Sequence, residues 1–264
     1  MSRFASQRFS HAILAAGLLL AGQPLHAQNK YDILARALQP YGALFYSKAP
    51  IKAVEADVVL RQGPAAVAEF LNQPLRVYFQ IPDKLRIETT DPQHRIVFCR
   101  DGQSVWAYPR DFATGIIAAG RVSKGETRIP DFRLPLKDQE IVFIPALFEI
   151  LRFESGSDPS GKSVWRLDLR LMPQLAQAIK SDNWVASAVV NQDNFHVRRV
   201  RIETNNWTST IDVLATRFDR ALPPQTWNAE AELASEATPI PPEYFGSALQ
   251  RTPLESLKSK TGFR

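Results

Sequence analysis

The sequence predicts an α+β fold: a curved antiparallel sheet forming an incomplete β-barrel, covered or filled by a few helices. Three observations predict it. The run from Gln73 to Pro109, QPLRVYFQIPDKLRIETTDPQHRIVFCRDGQSVWAYP, reads as four consecutive antiparallel strands. About eight or nine strands follow one another along the chain, the pattern of an antiparallel sheet. One helical stretch precedes them and another lies between them, so a layer of helix is available to cover one face.

The opening helix spans Lys30 to Tyr46, with Ile33, Leu34, Ala37, Leu38, Leu44 and Phe45 on a broad apolar stripe. Pro40 kinks or splits it. Val54 to Arg61 is a first strand, and Gly63 to Asn72 is a loop or short helical insert. In the four-strand run, Val77, Phe79 and Ile81 alternate with Arg76, Tyr78 and Gln80; after Pro82-Asp83, Leu85 and Ile87 alternate with Lys84, Arg86 and Glu88. Side chains on a strand point alternately to opposite faces, so these two strands are dry on one side and wet on the other. Ile96 to Cys99 and Val105 to Tyr108 are apolar throughout. Such strands are covered on both faces. Asp101-Gly102 between them suits a tight turn that needs a positive φ.

Asp111 to Lys137 has no clear period and carries Gly115, Gly120, Gly125, Pro130 and Pro135, so it is expected as a long loop. Pro145 then opens a short helix over Ala146 to Phe153, proline being suited to a first helical position. Ser163 to Leu171 returns to strict alternation, and Met172 to Asp182 is an excursion with helical character. Trp184 to Val190, His196 to Glu203 and Thr208 to Thr216 are three more strands, the first two joined through a turn at Asn191 to Asn194. Ala221 to Trp227 leaves the sheet.

The ends speak of location. Residues 1–27 have the form of a cleaved signal peptide: Arg3 and Arg8, an apolar core from Ala12 to Gly22, and a cleavage site after Ala27. That core is shorter than the roughly 20 apolar residues a membrane span needs. Residues 28–245 are expected as a single half-barrel domain and 246–264 as a basic, loose tail. The expected compartment is the periplasm, with no transmembrane anchor. Of the 264 residues only Cys99 is a cysteine, so an exported protein of this sequence draws its stability from its core and not from an internal disulfide. Loss of the signal lowers the formal charge from +5 to about +3, too mild to indicate nucleic acid.

Chemistry-bearing patterns are sparse. His94 and His196 are the only histidines after residue 27, which excludes a histidine-rich metal site; no metal and no cofactor is expected. Cys99 and His94 lie five residues apart on one strand, on opposite faces and roughly 17 Å apart. A buried cysteine acting as a small apolar side chain is the better reading. No phosphate-cradling loop, Gly-x-Ser-x-Gly elbow or His-Glu-x-x-His stands in the chain, so no catalytic residue is expected. Arg76, Lys84, Arg86, Arg166, Arg170, Arg199 and Arg201 fall on the outer faces of strands, among Glu88, Asp168 and Glu203. They form either a solvated face of cross-strand pairs or a docking surface.

The corner Ile81-Pro82-Asp83-Lys84-Leu85-Arg86, the hairpin Arg100-Asp101-Gly102, the strand Trp106-Ala107-Tyr108-Pro109 and the ending Phe218-Asp219-Arg220-Ala221-Leu222-Pro223 together resemble the periplasmic lipoprotein-carrier superfamily (LolA/LolB-like). The order of elements matches over most of the chain. The resemblance implies an incomplete barrel with a helical lid over a cavity that takes acyl chains. The dedicated carrier has an arginine just before the corner proline that holds the lid closed; here that position is Ile81, and Arg86 lies on the wet-face parity of the next strand. The chain is therefore similar to a general relative and not to the dedicated shuttle.

The leading expectation is a non-enzymatic periplasmic binding or carrier protein. Its ligand is a lipid, a lipoprotein acyl chain or another amphiphile, and a role in outer-membrane lipoprotein sorting is included. The candidate cavity residues are Val77, Phe79, Leu85, Ile87, Phe98, Trp106, Trp165 and Leu167. The alternative is an envelope sensor or scaffold that grips a protein partner through its outer sheet face. An enzyme is a third reading, without a constellation to carry it.

Overall fold

The computed structural model describes residues 25–48, 50–119, 132, 137–179, 184–205, 207–231, 233–241 and 244. The expected signal segment, apart from residues 25–27, and the expected tail over 246–264 lie outside the described residues. The strands are β1 (Ala53–Gln62), β2 (Pro74–Gln80), β3 (Lys84–Thr89), β4 (Val97–Asp101), β5 (Val105–Tyr108), β6 (Phe148–Ser157), β7 (Ser163–Leu171), β8 (Trp184–Asn191), β9 (Val197–Thr204), β10 (Thr208–Asp219) and β11 (Thr238–Pro239). They form an antiparallel sheet in the order β11-β5-β4-β3-β2-β1-β10-β9-β8-β7-β6, which does not close on itself. The helices are α1 (Leu25–Ala43), α2 (Arg110–Ala119), α3 (Asp138–Ile141) and α4 (Pro173–Ile179). Among the described residues, no helix is long and apolar enough to cross a membrane.

By contacts the chain divides into two compact units: 1–48, 135–212 and 253–264 form one, and 49–134 with 213–252 the other. In the first unit, α1 lays Leu34 and Ala37 on a core made with Ile150, Leu167, Leu169, Val190 and Val197. These strand residues share one face through the pairings Ile150↔Leu169 and Trp165↔Val190. Pro40 sits inside α1 without ending it. The chain next to α1 is tied to α3: the Ser47 amide and hydroxyl donate to the Asp138 carboxylate at 2.9 and 2.6 Å.

In the second unit, β1–β5 are covered on both faces at the β4–β5 end, as expected from their unbroken apolar character. On one face α2 packs Ala113 against Val105 and Ala107, with Phe98, Phe112 and Ile240 around them. On the other face the segment from Ala221 to Ala237, which we term the strap, places Leu222, Trp227 and Leu233 against Val97, Cys99 and Trp106. The turn between β4 and β5 uses Gly102 at φ +102°, where an added Cβ would meet the Asp83 carboxyl at 2.9 Å.

Three elements differ from the sequence expectation. Ala146 to Phe153 is not a helix: a 3₁₀ turn over Ile144–Leu147 leads directly into β6. A register shift between Ile150 and Arg152 breaks the two-residue period there, and this gave the apolar residues a helical spacing. The start of the expected loop after Asp111 is α2, whose Gly115 faces open space and therefore costs no packing. Finally, β11 adds two residues to the β5 edge, Thr238↔Ala107 and Pro239↔Trp106.

Candidate functional site

Residues directly opposite one another on antiparallel strands share a face. The register pairs Val77 with Ile87, Phe79 with Leu85, Ile87 with Phe98, and Leu85 with Arg100. Val77, Phe79, Leu85, Ile87 and Phe98 therefore lie together on the face that α2 covers further along. Phe98 joins the α2 core, while Val77, Phe79, Leu85 and Ile87 are half-buried and sit outside the buried clusters. Val54 and Ala56 of β1 extend this apolar strip through their pairing with Phe79 and Val77.

The other three candidates lie elsewhere. Trp106 is on the opposite face, buried under the strap with its indole N–H 3.4 Å from the Trp227 carbonyl. An all-apolar strand does not reveal which of its side chains faces which layer, so parity could not separate Trp106 from Val105. Trp165 and Leu167 belong to the first unit. Leu167 is core beneath α1, and Trp165 stacks on Phe195 at 5.3 Å with Arg36 over the same Phe195 ring.

Two groups on the α2 face had no signal in the sequence. Arg100 is 1 % exposed, and its guanidinium lies 4.4 Å over the ring of Phe132. That ring is also 5.2 Å from Phe79, and the Phe132 amide donates to the Pro82 carbonyl at 2.6 Å. Phe132 belongs to the stretch read as a loop without period, so only a long-range contact reveals it.

Arg86 was expected on a wet face, and the structure corrects this: it is 2 % exposed. Its guanidinium donates to the strap carbonyls of Thr226 and Asn228 at 2.9 and 3.1 Å, to Glu88 at 2.6 Å and to Glu230 at 3.1 Å. Arg95 reaches the same Glu230 at 2.6 Å. The strap supplies the acceptors that make burial of this charge tolerable. Arg86 thus holds down a C-terminal segment on the face away from the apolar strip.

The remaining cations on the outer faces are partnered. Arg76 pairs with Asp57, Arg170 with Glu149, Arg199 with Asp212 and Arg201 with Glu203; Arg166 donates to the Ser157 carbonyl, and Lys84 lies over the Trp227 ring. In each unit these cations are matched within that unit, by cross-strand or same-strand carboxylates, a backbone carbonyl or an aromatic ring.

Cys99 and His94 do not come together. Cys99 is buried, its thiol 3.4 Å from the Trp227 carbonyl, and burial pushes that thiol up to about 12. His94 is exposed beside Asp91. His196 belongs to the other unit.

No protein-family model matches the chain, and no curated protein does. Solved structures similar to it include the Mycobacterium tuberculosis lipoprotein LppX, at 9 % identity and TM-score 0.38, over 73 % of this chain and 96 % of that one. A putative outer membrane lipoprotein-sorting protein domain from Vibrio parahaemolyticus matches at 11 % identity and TM-score 0.31, over 73 % and 94 %. A LolA superfamily protein from Nitrosomonas europaea matches at 13 % identity and TM-score 0.27, over 73 % and 96 %. These are distant likenesses, and the fold rests on the sheet itself.

Proposed function

We propose that the protein is a non-enzymatic periplasmic binding or carrier protein that holds an acyl chain on the α2 face of β2–β4. The lipid is free or belongs to a lipoprotein. The observation that carries this reading is the contiguous apolar strip of Val77, Phe79, Leu85 and Ile87, paired across strands and half-buried. Apolar groups at these positions can gain about 0.8 kcal/mol for each methylene they cover. No dedicated polar contact is needed for several kcal/mol of affinity. The resemblance of the corner, hairpin and strand motifs to lipoprotein carriers supports the same reading, as does the signal-like segment for export.

Native mass spectrometry of gently purified protein tests it, together with titration of a fluorescent fatty acid. Co-purifying lipid or saturable uptake is expected, with uptake greatly reduced in Phe79→Asp. Consistently empty protein that takes up no probe would sink the reading.

A further inference from the structure

We propose that the chain pairs with a second copy of itself through the free edge of β6, as a weak two-fold dimer. This is independent of the lipid reading. The open sheet has two edges. One is β11, two residues long and closed to pairing at Pro239. The other is β6, ten residues without a proline or a lysine. An edge strand offers a row of backbone donors and acceptors to another chain, and proteins blunt such edges with short strands, prolines, lysines or bulges. In β6 a bulge at Leu151, where the register shifts between Ile150 and Arg152, guards only the first half. Past it, Arg152, Glu154, Ser155 and Ser157 are exposed.

Charge complementarity names the occupant. Opposed residues on antiparallel strands point to the same face, so two copies continue one sheet with a common core face only when the two-fold axis passes through a residue. With the axis at Arg152 two arginines face each other, and with it at Glu154 two glutamates do. With the axis at Phe153, Arg152 of each copy faces Glu154 of the other. The next strand extends this match, because within one chain Arg152 already opposes Asp168 and Glu154 opposes Arg166. Across β7-β6-β6-β7 of the pair, one row reads Arg166, Glu154, then Arg152 and Asp168 of the second copy. The signs alternate, and the symmetric row repeats them in reverse. Within each strand Arg152 donates to Glu154 at 2.6 Å, which completes a ring of four alternating charges. On the opposite face Phe153, half-buried against the core under α1, meets its own copy. The ladder ends at the bulge of each copy, where Ser155 comes opposite Leu151. A contact this short belongs to the weak, reversible class.

The test is analytical ultracentrifugation of the full mature chain. From about 1 to about 500 μM it should show a reversible monomer–dimer equilibrium, the range expected of so small a contact. Arg152→Glu makes all four charges of the ring negative, and Glu154→Arg makes all four positive. Each variant alone should self-associate about tenfold more weakly than the wild type. An equimolar mixture of the two should recover the dimer, because each chain then meets its opposite. Mixing does not repair a misfolded chain, so recovery is specific to the edge. A wild type that stays monomeric across the range overturns the proposal. So does either variant dimerising as the wild type does, or a mixture that stays monomeric. If either variant fails to fold, hydrogen exchange of the wild type decides. The amides of residues 152–154 should exchange more slowly at high protein concentration than at low, and unchanged exchange there overturns the proposal.

Discussion

Arg86 and Arg100 are buried arginines on the neighbouring strands β3 and β4. Arg86 faces the strap and finds its acceptors within the chain, two carbonyls and two carboxylates. Removing it takes this donor from the two strap carbonyls and leaves Glu88 with only the longer contacts from Tyr78 and Arg95, at 3.3 and 3.5 Å. Arg86→Ala should therefore cost about 3 kcal/mol in urea unfolding. Glu230→Gln should cost under about 1 kcal/mol, because Glu230 is half-exposed and its pairs are screened. Asp101, beside Arg100 in sequence, has a titration consequence. Burial works against its charge, but hydrogen bonds from the amide and hydroxyl of Ser104 and the amide of Gln103 hold it below the usual carboxylate range. A carboxyl lowered by folding contributes stability above its unfolded value of about 3.9, and that contribution is lost as pH falls through the folded value. Asp101→Asn should be less stable than wild type at pH 7, and the gap should close towards pH 3.

Among the elements, the strap and α2 seal opposite faces of the same strands. Trp227 fills the strap core at 2 % exposure. Trp227→Ala should destabilise by about 3–5 kcal/mol. The same change should make Cys99 reactive to a thiol reagent under native conditions, whereas the wild-type thiol, buried and pushed up to about 12, stays inert until unfolding.

Legibility followed element type. In strands with an intact two-residue period, β2, β3 and β7, parity told which side chains share a face, but not that the strap buries Arg86 on the expected wet face of β3. Strand β6 could not be read in this way, because its bulge re-phases Phe153 relative to Ile150. The apolar strip was legible for the same reason as its strands, from parity alone. Arg100, Phe132 and the strap contacts were not, since sequence pattern carries no information on pairs 30 or more residues apart.

Among the described residues, the unclosed sheet of eleven strands takes its cover from α1, from short helices and from segments outside regular structure. Ligand at the proposed site should stabilise the chain by mass action. At a hundredfold excess over Kd, about 2.7 kcal/mol is expected, visible as a rise in Tm with hexadecanoate. Cleavage of residues 1–27 predicts that exported protein begins at Gln28, which N-terminal sequencing checks. The strap bears on the timing of folding. Arg86 meets its strap acceptor Thr226 across 140 residues of chain. The core that this contact seals cannot form until the chain has been made through the strap. A growing chain therefore keeps Val97, Cys99 and Trp106 uncovered on this face until residues 222–233 join them.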